Sequence, residues 1–326
     1  MKALVCEKFG EIDELVFKEL DIPKLKEYEL LVKVHAAALN FPDILTIQGK
    51  AQYGISTPFI PGREFSGEVI AIGSKVTSVS IGQRIMAENT TGALAELAVC
   101  AEHKAFMIPE SMSYEQAACF QVAYGTAYHS LVDRGRIKLG ESVAVLGASG
   151  GVGSACIQIA KLFTDKIIAC AGDESKKEHC KAMGASHFIN YSSQDLKSEL
   201  KVITENQGVD VLCDMVGGLY SESAFRAMAW NGRHLVIGFA NGKIPSIPLN
   251  LPLLKGASLT GVFWSTFAEK FPERFRQNTE TLLDLFEKEE LKPVIHKIYS
   301  FSKTLQAYKD ITERRARGKV CVKMEH

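Results

Sequence analysis

The chain has 326 residues, of which 46% are hydrophobic and 23% charged, so it is long enough for about two domains with substantial cores. It has 38 lysines and arginines and 38 aspartates and glutamates, and this zero net charge argues against a general attraction to nucleic acid or anionic membranes. The N-terminus lacks the apolar run of a signal peptide, and no apolar run approaches a membrane span. With eight scattered cysteines and no C-x-x-C motif, the sequence predicts a cytoplasmic protein with reduced thiols.

Residues 1–122 predict a β-rich domain that resembles a partly closed barrel. Apolar segments separated by prolines and glycines predict strands at 3–6, 29–36, 67–73 and 95–100. Ser113 is the predicted N-cap of a helix, and Gln116 completes a capping box. A further helix over 123–131 is predicted to lead into the next domain.

Residues 123–264 alternate between strand and helix patterns. The predicted strands lie at 142–146, 166–171, 187–191, 209–216, 233–238 and 258–264, with helices at 174–183, 195–204 and 221–230. This alternation predicts an α/β fold with a doubly wound parallel sheet. The tail, residues 265–326, is predicted to fold back onto residues 1–122 with helices at 273–288 and 304–313 and strands at 297–301 and 319–323.

A glycine-rich turn after the first of these strands is the strongest functional signal. Strand, glycine turn and helix in this order are typical of a dinucleotide-binding site. Gly150 would allow a diphosphate to approach the backbone, and Gly153 would allow the helix to pack closely on the strand. The alternative is a tight turn without a ligand. The cofactor-binding residues predicted here are Gly147, Ser149, Gly150, Gly151, Val152 and Gly153.

Five segments, in order along the chain, resemble the medium-chain dehydrogenase/reductase superfamily, and within it the zinc-free quinone oxidoreductases related to zeta-crystallin. They are residues 35–43, 61–69, 123–129, 147–153 and 315–320. The resemblance implies a six-stranded Rossmann domain, a GroES-like catalytic domain and a homodimer. We expect the Rossmann domain at 123–264 and the catalytic domain at 1–122 and 265–326. The segment at 258–264 is an expected edge strand for the dimer.

Comparison with the zinc-containing members of this superfamily predicts a protein without a metal. Asn40 and Arg63 stand where those enzymes place a cysteine and a histidine ligand, and their third ligand falls near Phe120. The cysteine cluster of a structural zinc site has no counterpart in residues 82–99. His129 and His179 show no metal-binding spacing and are predicted to lie on helix surfaces.

The chemistry expected without zinc is reduction of an acceptor that carries incoming negative charge on its own oxygen. We therefore predict NADPH-dependent hydride transfer to a quinone or an α,β-unsaturated carbonyl. The candidate catalytic residues are Asn40, Tyr53 and Arg63. The alternatives are that Asn40 caps a turn and that Arg63 forms a buried ion pair.

The choice of NADPH rests on charge. The position that holds the ribose diol in NAD enzymes corresponds to Ala171, so no carboxylate repels a 2′-phosphate there. The resemblance assigns Lys176 to that phosphate, and Tyr191 and Arg315 to further cofactor contacts. Asp173 either caps the following helix or binds the diol. The ends of other strands and helices supply further candidates, which ordinary packing would explain equally well: Thr126, Gly217, Gly238, Phe239, Val262 and Phe263.

Two other functions stay open at this stage. One is an acrylate- or enoyl-type reductase that acts on small conjugated acids or thioesters. The other is a crystallin-like protein that holds NADPH with little turnover, or that binds RNA. The neutral net charge and the lack of a basic and aromatic array disfavour RNA.

Overall fold

The computed structural model describes residues 1–51 and 54–325, which form two compact units. Unit 1 combines Met1–Val122 with the chain from Pro293 onward, and unit 2 is Ala123–Lys292. No helix within the described ranges combines the length and the apolar character that a bilayer span requires.

The elements of both units are numbered in chain order. The strands are β1 (Lys2–Val5), β2 (Val16–Glu19), β3 (Glu29–Leu39), β4 (Glu64–Ile72), β5 (Arg84–Glu88), β6 (Leu97–Ala101), β7 (Ala105–Met107), β8 (Val143–Leu146), β9 (Ile167–Ala171), β10 (His187–Asn190), β11 (Val209–Asp214), β12 (Met228–Val236), β13 (Ser258–Gly261), β14 (Ile295–Ser300) and β15 (Lys319–Lys323). The α-helices are α1 (Phe41–Ile47), α2 (Tyr114–Ala118), α3 (Gln121–Tyr128), α4 (Gly151–Lys161), α5 (Lys177–Met183), α6 (Leu196–Ile203), α7 (Leu219–Phe225), α8 (Asn250–Lys255), α9 (Trp264–Lys270), α10 (Pro272–Glu287) and α11 (Thr304–Thr312).

Unit 1 is β-rich, as predicted. Its main sheet has the order β14-β15-β3-β4-β5-β7, β6 pairs with β3 off this path, and β1 and β2 form a separate antiparallel pair. The predicted capping box before α2 is present, because Ser113 Oγ accepts the Gln116 N–H at 3.1 Å and Gln116 Oε1 accepts the Ser113 N–H at 3.0 Å. The last part of the tail joins this unit, since β15 pairs antiparallel with β3.

Unit 2 contains the doubly wound sheet, and this prediction is confirmed. All six strands are parallel, in the order β10-β9-β8-β11-β12-β13. All four residues of β8 and all five of β9 are buried, as expected for strands covered by helices on both faces. The strand order reverses direction between β8 and β11, which is where ligands bind in sheets of this kind.

The helices α9 and α10 belong to unit 2, so the boundary between the units at 292/293 differs from the predicted boundary at 264/265. Asp133 explains part of this attachment, because its carboxylate accepts hydrogen bonds from Arg274 at 3.0 Å and Asn278 at 2.7 Å. His129 Nδ1 lies 2.8 Å from the same carboxylate, and its ring stacks on Phe267 at 3.9 Å. The prediction of a surface position for His129 was wrong, since these contacts bury it.

Two predicted elements have different ends in the structure. The helix predicted at 221–230 ends at Phe225, because Met228 already pairs with Val209 at the start of β12. The strand predicted at 258–264 ends at Gly261, and Trp264 begins α9. Both differences arise because contacts with neighbouring elements override the local pattern.

Candidate functional site

The glycine-rich turn joins β8 to α4 in unit 2. Gly147 follows the strand directly and has a φ of +75°, a backbone conformation that favours glycine. Its N–H and that of Ala148 both donate to the Cys170 carbonyl, at 2.9 and 3.2 Å, which fixes the turn against β9. Gly150 is then the N-cap of α4. The turn therefore places the start of this helix at the carboxyl end of β8.

Gly150 and Gly153 have different roles in this turn. A Cβ atom on Gly153 would lie 2.3 Å from the carbonyl oxygen of Gly147, so only glycine allows the helix to pack this closely. A Cβ atom on Gly150 would lie 3.5 Å from the same oxygen, with no nearer atom, and would extend into the space in front of the helix. Gly151 and Val152 form the first turn of α4, so their N–H groups have no acceptor within the helix. These groups and the positive end of the helix dipole fit a diphosphate.

Four of the predicted cofactor residues come together at the ends of β8, β11 and β12. Gly217 has a φ of +72°, and a Cβ atom there would lie 2.9 Å from the Phe239 side chain. Gly238 donates its N–H to the last carbonyl of β11 at 3.1 Å. A Cβ atom on Gly147 would lie 3.1 Å from the Val216 side chain. The structure thus brings Gly147, Gly217, Gly238 and Phe239 to one edge of the sheet.

Asp214, which the sequence analysis missed, organises this edge. One carboxylate oxygen accepts the N–H groups of Val216 and Gly217, both at 2.9 Å. The other accepts the Ser221 hydroxyl at 2.5 Å and lies 3.1 Å from His234 Nε2. Burial alone would raise the pKa of Asp214, but the hydrogen bonds, chiefly with His234, hold it below its usual value. An acidic residue at the end of a buried strand, three residues before a pair of glycines, is the signal that would have found it.

The other predicted residues of this group lie near α3 and α9. Thr126 is half-buried in α3, next to Gly125, where a Cβ atom would lie 2.7 Å from the Trp264 ring. Val262 and Phe263 directly precede this tryptophan. Val262 is buried, and Phe263 has an exposed side chain. Thr126 is therefore near the segment that contains Val262 and Phe263, on the β13 side of the sheet.

The end of β9 carries the residues predicted to select the cofactor. Ala171 is buried, and its carbonyl accepts the Tyr191 N–H at 3.1 Å. Asp173 accepts the Ser175 N–H at 2.7 Å, so of its two possible roles the structure shows the capping one. Lys176 ends the short 3₁₀ turn that follows. Lys176 follows Ala171 closely in the chain, and Tyr191 is hydrogen-bonded to Ala171. Both residues therefore lie near the end of β9.

Arg315 and Tyr53 complete the predicted residues. Arg315 lies in unit 1 after α11, where its guanidinium pairs with Asp310 at 2.8 Å and also with Glu313. Its role toward a cofactor stays a prediction. Tyr53 lies outside the described residues.

Asn40 belongs to a buried polar network in unit 1. Leu39 pairs with Val320 between β3 and β15, which places Asn40 beside Lys319. The Lys319 ammonium donates to Asn40 Oδ1 at 2.6 Å, to the Leu39 carbonyl at 3.1 Å and to Glu64 Oε1. Asn40 Nδ2 donates to the same Glu64 oxygen at 2.9 Å. The network fixes the orientation of the Asn40 amide.

Arg63 is joined to this network through Asp43. Its Nε lies 3.2 Å from Asp43 Oδ1, and Asp43 Oδ2 accepts the Asn40 N–H at 2.8 Å. Burial raises the pKa of Asp43 by more than Arg63 lowers it. Asn40 occupies the N-cap position of α1, where Asp43 accepts its N–H, while its side chain belongs to the network; Arg63 forms a buried ion pair, which was the alternative for that residue. The sequence analysis missed Lys319, whose position beside Asn40 depends on strand pairing.

Comparisons with known proteins agree with this architecture. The family model described as alcohol dehydrogenase GroES-like domain matches residues 26–121, and the model described as zinc-binding dehydrogenase matches residues 151–285. The chain is 34% identical over 324 residues to the quinone oxidoreductase-like protein 2 homolog of Nematostella vectensis, covering 98% of this chain and 88% of the relative. It is 30% identical to human quinone oxidoreductase, covering 95% and 94%.

This chain belongs to the quinone oxidoreductases of the medium-chain dehydrogenase/reductase superfamily. The crystal structure of Escherichia coli quinone oxidoreductase complexed with NADPH has a TM-score of 0.93 to this chain, with 25% identity and coverage of 99% and 100%. Unit 2 therefore contains a Rossmann domain and unit 1 a GroES-like domain. The protein is an oxidoreductase that binds NAD(P)H.

The positions of the zinc ligands in related dehydrogenases hold other groups in this quinone oxidoreductase. Asn40 and Arg63 are engaged in the network described above, and Cys119 is buried, which raises the pKa of its thiol. Within residues 1–51 and 54–325, no group of three or more His, Cys, Asp or Glu side chains converges on a possible metal position. Gln121 is buried, and neither polar atom of its amide has a partner in the described part of the chain.

Proposed function

We propose that this protein reduces a quinone or an α,β-unsaturated carbonyl compound with hydride from NADPH, and that it does so without zinc. The observation that carries the proposal is the buried network around Asn40. Arg63 stands at the position of a histidine ligand in the zinc-containing members of the superfamily, and its guanidinium has no lone pair to offer a metal; Lys319 adds a second cation beside Asn40. The quinone oxidoreductase relatives and the NADPH complex of one structural neighbour support the choice of reaction.

In this proposal the residues of unit 2 bind the cofactor. The amides of Gly151 and Val152 would hold its diphosphate, with Gly150 leaving room for it. The reduced nicotinamide, when bound, supplies the hydride. The glycines and aromatic side chains at the strand ends would hold the cofactor in place, and the turn fixed by Asp214 keeps Gly217 in position.

Asn40 is the proposed hydrogen-bond donor to the oxygen on which negative charge develops. Lys319 fixes its Oδ1 and Glu64 accepts one N–H, while the other contact of Nδ2, with the Ala38 carbonyl, is long at 3.4 Å. This second N–H is therefore the group that can turn to an acceptor without breaking the network. Arg63 would act as a positioning residue through Asp43. Tyr53 is proposed as a second donor.

The preference for NADPH is proposed to rest on Lys176, with Tyr191 and Arg315 as further cofactor contacts. Ala171 supplies no carboxylate, and Asp173 is engaged in capping. Lys176→Glu should weaken NADPH binding by about 10- to 100-fold, the loss expected for a charged hydrogen bond, and leave NADH binding almost unchanged. Lys181→Glu on α5, which also reverses one charge, is the matched control. Equal NADPH affinity in the Lys176 variant and the wild type would refute the assignment.

The reaction itself is tested by following oxidation of NADPH and NADH with a benzoquinone, a naphthoquinone, a simple enone and an acrylate. A primary alcohol with oxidised cofactor completes the panel. We expect NADPH-dependent turnover of quinones or enones that a chelator does not affect. Chelator-sensitive oxidation of the alcohol would refute the zinc-free mechanism. Turnover of the acrylate alone would favour the enoyl-type reductase, and tight NADPH binding without any turnover would favour a binding protein.

We also propose that the protein is a cytoplasmic homodimer that pairs through β13. This strand is the last in its sheet, and the side chains near it include strongly exposed apolar residues: Leu253 is 77% exposed and Leu254 is 69% exposed. A second copy would cover such a patch and pair the free edge. Leu253→Asp with Leu259→Asp should give monomers by sedimentation velocity, and a monomeric wild type would refute the dimer. The eight cysteines are all free and buried, which suits a reducing compartment.

A further inference from the structure

A cleft of about 410 Å³ lies along β13 in unit 2. Arg134, Arg136, Lys138 and Arg233 line it, and Ser258 and Thr260 contribute hydroxyl groups. No carboxylate among the described residues lines it, and neither does any residue predicted to bind the cofactor. The cleft is thus a concentration of positive charge that the proposed reaction does not use.

The segment that supplies most of these cations alternates strictly between buried and exposed residues. Gly135 and Ile137 are buried, whereas Arg134, Arg136 and Lys138 are exposed. The alternation directs the three charged side chains away from the core. Charges of one sign so close together repel each other, so an anion held among them would be stabilised.

The backbone of this segment is held in an unusual conformation. Arg136 has a φ of +47°, which costs a residue with a side chain about 1 kcal/mol. Arg233 holds the segment in place, since its Nε donates to the Gly135 carbonyl at 2.8 Å. Its two terminal nitrogens pair with the Glu141 carboxylate at 2.9 and 2.5 Å. The segment is therefore fixed by the fold, not left loose on the surface.

The charge in the cleft is not balanced by the protein. Glu141 neutralises Arg233. Its partial burial would raise its pKa, but the hydrogen bonds from Arg233 bring it below the usual value. Arg134 donates from Nε to the Gly261 carbonyl at 3.0 Å, which is not a charged partner. For the side chains of Arg136 and Lys138, the described part of the chain provides no ion pair or hydrogen bond. Glu141 also interacts electrostatically with Lys138, so this one carboxylate serves both Arg233 and Lys138, and the four cations of the cleft exceed it by three charges.

We propose that this cleft binds an anion with two linked phosphate groups, either inorganic diphosphate or the diphosphate of a nucleotide. Phosphate groups carry about 1.5 to 2 negative charges each at neutral pH, so two of them match the unbalanced charge of three. Guanidinium groups bind phosphate oxygens in pairs, and the serine and threonine hydroxyls add neutral donors. The volume lies within the range of small-molecule sites.

This site is separate from the two already described. The glycine turn follows the carboxyl end of β8. Arg233 pairs with Val211, and Val211 pairs with Val143, the first residue of β8, so Arg233 lies toward the opposite end of the sheet. Pairing of β13 with a second copy would use main-chain groups in the plane of the sheet. The side chains of Ser258 and Thr260 stand on one face of the sheet, so such pairing leaves their hydroxyls in the cleft.

Isothermal titration of the full chain with inorganic pyrophosphate tests the proposal. The titration uses the Gly150→Asp variant, whose carboxylate at the start of α4 should exclude phosphate from the glycine turn. We expect one saturable site, weakened by about tenfold or more in the same variant with Arg136→Gln and Lys138→Gln, because two charged contacts are lost. Lys24→Gln with Lys270→Gln removes the same charge elsewhere, and should change the affinity by less than about twofold.

Arg136→Gly is a second variant, and it distinguishes weaker binding from loss of the folded structure. It removes the guanidinium but relieves the left-handed backbone, so it should be at least as stable as its parent and still bind pyrophosphate more weakly. Titration with ADP separates the two sources of the ligand: equal affinity for ADP and pyrophosphate supports a nucleotide, and binding of pyrophosphate alone supports the free anion. Absence of saturable binding to Gly150→Asp, or equal affinity in the Arg136 variants, would overturn the proposal. NADPH oxidation is measured separately on the wild type, so failure here leaves the proposed reaction unaffected.

Discussion

Substitution of single glycines by alanine in the turn after β8 should separate stability from cofactor binding. In Gly153→Ala the new methyl group would lie 2.3 Å from the Gly147 carbonyl oxygen and 2.8 Å from the Ala148 carbonyl carbon, both main-chain atoms that cannot simply rotate away. The helix must move off the strand, and overpacking of this kind costs roughly 1–3 kcal/mol. For a unit of this size that corresponds to a fall in Tm of about 2–4 °C per kcal/mol.

Gly150→Ala is the matched variant with the opposite expected result. The backbone there is extended, with φ −78° and ψ 176°, and the new methyl would lie 3.5 Å from its nearest neighbour, so any residue can adopt it without strain. Loss of a glycine at the N-cap costs under about 1 kcal/mol, and the reduced freedom of the unfolded chain offsets about 0.4–1 kcal/mol. We therefore expect a Tm close to that of the wild type.

The effect of Gly150→Ala should appear in binding. The methyl group extends into the space that a diphosphate needs, and loss of one or two charged hydrogen bonds costs about 1.5–3 kcal/mol. The Kd for NADPH should rise by about 10- to 100-fold, measured by fluorescence titration alongside thermal unfolding of both variants. Wild-type affinity in Gly150→Ala would refute the assignment of this turn to the diphosphate. An unchanged Tm in Gly153→Ala would refute the packing argument.

Two further predictions concern buried charges. Lys319→Met should lower the free energy of unfolding in urea by about 3–5 kcal/mol, because it leaves Glu64 buried without its cation. Lys323 lies four residues along the same strand in an exposed pair with Glu115, so Lys323→Met should cost under about 1 kcal/mol. Similar losses in both variants would contradict the account of the network. The folded pKa of Asp214 is lowered, so its ionised form stabilises the protein above the unfolded pKa of about 3.9, and this contribution is lost as pH falls through the folded pKa. Asp214→Asn should therefore reduce stability near pH 7 and flatten its acid dependence in denaturation measured from about pH 7 to about pH 2, while the exposed control Asp284→Asn should match the wild type.

The sequence by itself determined most of the second unit. The buried strand before Gly147, the glycine spacing and the apolar helix after it are local patterns, and local patterns are what periodicity and turn chemistry report. The same reasoning predicted the six strands of the doubly wound sheet and the capping box at Ser113. It also raised the two alternatives for Asn40 and Arg63, because an asparagine shortly before Pro42 can cap a turn, and a charged residue at the position of a metal ligand can pair with a carboxylate instead.

Only the tertiary structure decided which distant residues meet. Lys319 lies beside Asn40 because β15 pairs with β3, a contact across 279 residues that no local pattern encodes. Asp214 and His234 meet because parallel strands align their ends, and Asp133 buries His129 while it holds α10 to unit 2. In each case a polar group is buried, and burial is stable only with a partner. The sequence shows the polar group, but the partner depends on how the whole chain folds.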